Sequence, residues 1–254
     1  MWILKVSKFS WLIFTPILFL FSFCKGRLKE KLANCFSNLV LICWPHKNIK
    51  LYHRFFDLWA IKYMFSRNSE VLKIAEKVKE GNIIDTGAHI GTFTLALSAL
   101  FKIQNCIAIE PSPKNFVLLK KNLTINGLAN CHCEQAACYS SSGEMKFYED
   151  AKNTALGSLR AGGTRRNSIK IKVKTVDDLV PKTWKSVALL KVDAEGADLD
   201  VLSGTKKILN MTKMVFVDVG LKEEHEEVTN FLEKYGFSRV SDASKFLVLT
   251  KPKQ

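Results

Sequence analysis

The stretch Ile83–Leu95, IIDTGAHIGTFTL, places an acid, Asp85, ahead of two glycines four apart, Gly87 and Gly91, with Ala88 and His89 between them. Glycines at a strand end let a ligand approach the backbone, and a following helix offers free N–H groups there. The spacing D-x-G-x-x-x-G is not the G-x-G-x-x-G of dinucleotide folds. An acid at its head disfavours a pyrophosphate and suits a cationic or amino group. Glu110 comes 25 positions after Asp85, closing the apolar run CIAIEPS. A carboxylate at that point takes both hydroxyls of a ribose. A nucleoside joined to a positively charged amino-acid moiety satisfies both acids, and S-adenosylmethionine is such a molecule. Asp193 and Glu195, in LLKVDAEGADLDVLSG, bring two more acids to a further strand end. Capping of the next helix would account for either alone. Two of them converging with Asp85 and Glu110 point to a reaction centre.

These acids need a scaffold that lines up strand ends. Val71, Ile74, Ala75 and Val78 recur at helical spacing before Gly81, which is expected to end that helix. NIIDTG then reads as a buried strand, TFTLALSALF as a helix, CIAIEPS as a strand, and PKNFVLLKKNLTINGL as a helix ended by Gly127. Strands follow within Cys131–Tyr139, Val187–Val192 and Met214–Val219, with helices over Asp198–Leu209 and Glu223–Tyr235. Such alternation predicts a parallel sheet covered on both faces through right-handed crossovers. FSRV and KFLVLT, with no helix between them, predict an antiparallel hairpin at the sheet edge. Glu144–Lys174 breaks the rhythm. In SIKIKVK, Ile169, Ile171 and Val173 alternate with lysines, so a half-exposed antiparallel hairpin is expected over the strands' C-terminal ends. Its loop, LRAGGTRRN, offers Arg160, Arg165 and Arg166 either as a lid over an anionic acceptor or as solvated surface.

The runs IIDTGAHIGTFTL, AIEPSPKNFVLLKKN, KTVDDL and LLKVDAEGADLDVLSG, in this order and spacing, resemble the FkbM family of S-adenosylmethionine-dependent methyltransferases over about Asp57 to Thr250. The resemblance implies a class I methyltransferase (Rossmann-like) α/β fold with a seven-stranded, mostly parallel sheet. It also implies methyl transfer to hydroxyl oxygens of sugars or other small molecules. On it, Asp85, Gly87, Ala88 and Gly91 line the methionine end of the cofactor, Glu110 the ribose, and Gln135 and Ala136 the adenine region. Asp193 and Glu195 then lie near the transferring methyl. His89 stands where the family usually has Asn, and Asp218-Val219-Gly220 replaces the family's Glu-x-His pattern, with His225 too far along to fill that role. Asp193 is expected beside the acceptor with Glu195 and His89 behind it. Spacing leaves open whether each acts on the acceptor or only holds the cofactor's amino group.

The seven cysteines are odd in number and irregularly spaced, and CHCEQAAC (Cys131–Cys138) lacks zinc-site spacing, so buried thiols in a reducing compartment and no metal are expected. The formal net charge of +14 is uneven, with residues 1–70 holding 11 Lys/Arg against 3 Asp/Glu. Residues 1–50 read as an apolar, basic extension and 51–254 as the methyltransferase domain. Phe9–Cys24 is an uncharged run of 16 residues, expected to span or lie on a membrane. Leu39–Pro45 and Leu51–Phe65 are expected as amphipathic helices on that membrane or on the domain. Lys25, Arg27, Lys29 and Lys31 outnumber Lys5 and Lys8, which places the large C-terminal part on the cytoplasmic side. A lipid-linked glycan would then join the sugar acceptors. Two competing readings are an RNA methyltransferase, supported by the basic charge and NLTINGL, and a membrane-tethered binding protein that keeps the fold without catalysis.

Overall fold

The protein is described by a computed structural model covering residues 3–6, 40–43, 49–54, 77–150, 154–162, 165–219, 222–240 and 246–252, with single positions between 57 and 74. Three short strands, β1 (Ile3–Val6), β2 (Val40–Cys43) and β3 (Ile49–Tyr52), form a small sheet in that order. The main domain then alternates as expected: β4 (Glu80–Thr86), α1 (Thr92–Ser98), β5 (Lys102–Ile109), α2 (Pro113–Ile125) and β6 (Cys131–Glu134). Next come β7 (Ala137–Cys138), β8 (Gly143–Asp150), β9 (Arg165–Lys174), α3 (Val176–Leu179) and β10 (Val187–Val192). The chain continues through α4 (Asp198–Ser203), α5 (Lys206–Met211), β11 (Thr212–Asp218), α6 (Lys222–Glu233), β12 (Ser238–Arg239) and β13 (Phe246–Thr250).

Seven strands make the main sheet, in the order β12-β13-β11-β10-β4-β5-β6. The five from β11 to β6 are parallel, and β13 and β12 add antiparallel strands at one edge. Alternation along β11 shows how both faces are filled. Met214 and Phe216 join a layer containing Phe93, Leu97, Phe116 and Leu119 of α1 and α2. Val215 and Val217 join a layer with Val201, Leu209, Val228 and Leu232 of α4, α5 and α6. Chain order reverses at β4, which is flanked by β5 and β10. The crevice at such a switch point, beyond the strands' C-terminal ends, is where open parallel sheets bind ligands.

Several expectations change in detail. Gly81 does not end the helix before β4. Lys79, at φ 63°, takes the left-handed position, while Gly81 lies within β4, where a Cβ would overlap Ala188 of β10. The expected helix over Asp198–Leu209 breaks into α4 and α5 at Gly204, whose missing Cβ lets the Tyr139 carbonyl pack against it. The strand expected over Cys131–Tyr139 divides, because β6 pairs with β5 whereas β7 pairs with β9. The inserted hairpin, β8 against β9, is antiparallel as expected, with Ile171 and Val173 buried.

The N-terminal region differs more. Val40–Cys43 is a strand rather than part of an amphipathic helix, paired antiparallel with β3 and parallel with β1. Ile3–Val6 is likewise a strand. Short β-branched runs are held by strand partners more readily than as an isolated helical turn. Leu51 and Tyr52 are also strand, while Ala60, Ile61 and Met64 are helical. β3 straddles the boundary drawn at residue 50 and buries Ile49 and Leu51 in the main core. Residues 9–24 lie outside the described residues.

α2 grips β3 through two asparagines one turn apart. Asn122 Oδ1 accepts from the Tyr52 N–H (2.6 Å) and its Nδ2 donates to the Tyr52 carbonyl (2.9 Å). Asn126 does the same for Lys50, at 2.8 and 2.6 Å. These two side chains supply the partners a neighbouring strand would have given. The asparagines of NLTINGL thus have a structural use in this chain.

Candidate functional site

A cavity of about 450 Å³ opens at the C-terminal ends of β4, β5 and β10. Its rim and walls include Gly87, Ala88, His89, Glu110, Ala136, Asp193 and Glu195 from the sequence-derived set. The inserted hairpin closes one side with Phe147, Thr154, Ala155 and Gly157 to Leu159. Three expected residues do not line it. Asp85 is fully buried beneath the cavity floor, Gly91 packs on Leu119 of α2, and Gln135 is solvent-exposed.

Asp85 has a cation already, and it comes from the chain itself. Lys191, 2% exposed and next to last in β10, places Nζ 3.1 Å from Asp85 Oδ1 and 3.1 Å from Asp193 Oδ2. It also donates to the Gly87 carbonyl at 2.8 Å, while Thr94 donates to Asp85 Oδ2 at 2.6 Å. Burial pulls the Lys191 pKa down, but the charges of Asp193 and Asp85 outweigh it and hold the ammonium above its ordinary value. Asp85 therefore anchors Lys191, and Lys191 fixes the Asp193 carboxylate and the turn at Gly87. That turn, at φ 74°, runs so close to the Asp193 carbonyl that any Cβ would collide with it.

Glu110 presents a carboxylate on the other side of β4. Its Oε2 accepts from the His89 N–H (2.9 Å), and its Oε1 from the Ser112 N–H (2.9 Å) and Asn115 Nδ2 (3.1 Å). Burial raises its pKa against the opposing effects of His89 and these donors. Each carboxylate oxygen has two lone pairs, so Oε2 keeps acceptor capacity for a ligand hydroxyl.

The turn after β10 is shaped by Asp198, which accepts from the Ala194 N–H (2.8 Å) and the Gly196 N–H (3.2 Å). Burial, helped by the nearby charges of Asp193 and Asp218, pushes its pKa up to about 6. Glu195 sits in this turn at φ 49°, and its carbonyl is held by Ser158 Oγ at 2.9 Å. Arg160 lies above it, 3.6 Å from Asp200 and 3.7 Å from Glu224. His225 is on α6, against the Val219 carbonyl and outside the cavity lining.

The sequence reading did not single out Lys191, Asn115 or Thr154, all of which line the cavity. Lys191 had a signal, because a lysine inside the uninterrupted apolar run VALLKV must find buried partners. Asn115 and Thr154 had none, since their importance arises from contacts distant in sequence. Among the described residues no group of three or more His, Cys, Asp or Glu is arranged to hold a metal. Cys133 is pushed up to about 11 by burial and Cys138 is raised further, which keeps both as unreactive thiols.

Residues 85–239 match the methyltransferase FkbM domain. Among curated relatives, the chain is 27% identical over 180 residues to a hexuronic acid methyltransferase, AglP, of Haloferax volcanii, covering 70% of this chain and 72% of that one. It is 26% identical over 204 residues to methyltransferase sdnD of Sordaria araneosa, covering 65% and 76% respectively. A solved FkbM methyltransferase from Methylobacillus flagellatus KT aligns with 14% identity and a TM-score of 0.48, over 67% of this chain and 44% of that chain. The chain belongs to the FkbM family and is a methyltransferase.

Proposed function

We propose that the protein transfers a methyl group from S-adenosylmethionine to a hydroxyl oxygen of a sugar, with a uronic-acid-type sugar as the leading acceptor class. The observation that carries this reading is the pair of carboxylates, Glu110 and Asp193, that flank β4 and line one cavity at the sheet's switch point. The residues present suit the cofactor. Glu110 retains acceptor capacity for a ribose hydroxyl, Gly87 and Ala88 let it approach the backbone, and Ala136 provides an apolar wall for the base. Asp193 is placed for the amino-acid or reacting end. The hexuronic acid relative supports the choice of acceptor.

When bound, S-adenosylmethionine supplies a methyl group activated by a sulfonium. The chain's contribution is alignment, exclusion of water and acceptance of one proton. Phe147, Thr154, Ala155 and Gly157 to Leu159 of the insertion cover the cavity and limit water. Asp193, held by Lys191 and with its side chain 23% exposed, accepts the acceptor hydroxyl's proton as the new O–C bond forms. Glu195 and Asp218 line the same end and bound the acceptor space.

Calorimetric titration of the full chain with S-adenosylhomocysteine tests the cofactor half. We expect binding by the wild type and at least ten-fold weakening in Glu110→Ala, with folding checked by thermal melting. Equal affinity in the folded variant would sink the assignment of Glu110. Methyl transfer to free or lipid-linked uronic acids, abolished in Asp193→Asn, tests the acceptor half.

A further inference from the structure

Asp57 precedes the matched domain by 28 positions, yet it is buried against the cavity wall. Its Oδ2 accepts from the Arg54 N–H (2.7 Å) and Nε (3.1 Å), and its Oδ1 from Arg54 Nη2 (3.1 Å) and Thr154 Oγ1 (2.7 Å). Arg54 Nη2 also reaches Asn115 Oδ1 at 2.6 Å, and Asn115 Nδ2 binds Glu110 and the Thr154 carbonyl. Into this network comes His89, whose Nε2 lies 3.1 Å from Thr154 Oγ1 and 3.4 Å from Asp57 Oδ1.

These contacts choose the protonation of the ring. A carboxylate only accepts, so the Thr154 hydroxyl donates to Asp57 and its oxygen accepts from His89 Nε2–H. A proton is therefore on Nε2, and in the neutral ring Nδ1 keeps its lone pair. His89 Nδ1 is buried and has no hydrogen-bond partner among the described residues. His89 itself is 9% exposed, lines the cavity, and is held at φ 52° by a backbone N–H bonded to Glu110, the residue assigned to the ribose.

We propose that Asp57 and Thr154 are positioning residues of the cofactor site, which hold His89 so that Nδ1 accepts a hydrogen bond from a ribose hydroxyl of the bound cofactor. The proposal rests on the cofactor reading above. It makes the segment around Arg54–Asp57, outside the matched domain, part of the machinery that binds the nucleoside. It also gives His89 a binding role on the ribose side, away from Asp193.

The test is a cycle between side chain and ligand. Full-length wild type, His89→Ala, Asp57→Asn and Thr154→Val are each titrated with S-adenosylhomocysteine and with its 2′-deoxy and 3′-deoxy analogues. In the wild type we expect one of the deoxy analogues to bind about ten-fold more weakly than the parent. In His89→Ala that penalty should fall to two-fold or less, and Asp57→Asn and Thr154→Val should reduce it in the same direction. A residue needed only for folding would lower the melting temperature without changing the penalty. Thr154→Val keeps the Asp57–Arg54 pair, so it reports even if Asp57→Asn fails to fold. Penalties equal in wild type and His89→Ala overturn the inference alone. No binding of the parent ligand by folded wild type overturns it together with the cofactor reading.

Discussion

At the scale of single residues, the site is governed by one buried cation shared between two acids. Removing Lys191 leaves the Asp85 carboxylate with no counter-charge where water does not reach. Breaking a buried pair from one side typically costs about 3–5 kcal/mol, far more than the pair contributes relative to an apolar substitute. Lys191→Met should therefore lower the unfolding free energy by about that amount in urea denaturation, and adding Asp85→Asn should recover part of the loss. A double variant no more stable than the single one would show that the stabilisation lies elsewhere. Asp198 makes a prediction with a pH signature. Its pKa is near 3.9 in an unfolded chain and about 6 in the fold. The native state thus holds a proton that the unfolded state has lost between those values. This contribution is fully present below about pH 4, declines as pH rises through about 6, and is flat above, for a total of about 2–3 kcal/mol. Unfolding free energies measured at pH 4 and pH 7.5 should show Asp198→Asn gaining relative to wild type at the higher pH. An unchanged difference would mean that the Asp198 carboxyl has the same pKa in the folded and unfolded chain.

At the scale of elements, the asparagine clamp on β3 ties the segment carrying Arg54 and Asp57 to the domain. Asn122 is fully buried and bonds both backbone groups of Tyr52 and the Ile90 carbonyl (2.8 Å), whereas the bonds of Asn126 to Lys50 are exposed. Stranding buried backbone groups costs about 1–3 kcal/mol each, while exposed ones recover water. Asn122→Ala should cost about 2–4 kcal/mol and also weaken S-adenosylhomocysteine binding, because Asp57 would lose its anchorage. Asn126→Ala should cost under about 1 kcal/mol. Equal losses in the two variants would argue against the clamp. The same comparison shows what the sequence made legible. Parallel strands and their connecting helices followed from apolar runs and glycine punctuation, and Glu110, Gly87 and Asp193 were placed by their positions at strand ends. Two kinds of information were missing. The split between α4 and α5 and the Gly81 position depend on backbones that pack closely across the fold. The grouping of Asp57, Asn115 and Thr154 depends on side chains up to 97 positions apart, as in the Thr154–Asp57 bond. Asp85 was read as a ligand partner because its cation, Lys191, is 106 positions away in sequence and beside it in space.

At the scale of the whole molecule, charge and apolarity are concentrated at the N-terminal side of the cavity-bearing domain. Phe9–Cys24 has 16 uncharged residues, with Lys5 and Lys8 before it and Lys25, Arg27, Lys29 and Lys31 after it. As a helix it would extend about 24 Å, shorter than a hydrocarbon core of about 30 Å, and flanking lysines that snorkel would make up the difference. Among the described residues no helix is long and apolar enough to cross a membrane, and residues 9–24 lie outside them. We propose that this segment attaches the enzyme to a membrane, with the methyltransferase domain on the cytoplasmic side, which would bring lipid-linked sugars within reach of the cavity. Flotation with vesicles of mixed neutral and anionic lipid separates the physical contributions. Insertion of the apolar run predicts that full-length protein floats with vesicles and stays there in 1 M salt, where a Debye length of about 3 Å removes purely electrostatic attraction. A variant lacking residues 1–24 should remain at the bottom of the gradient. Attachment lost in high salt would reassign binding to the basic residues alone. Full-length protein that never floats would remove the membrane and, with it, the case for a lipid-linked acceptor over a free sugar.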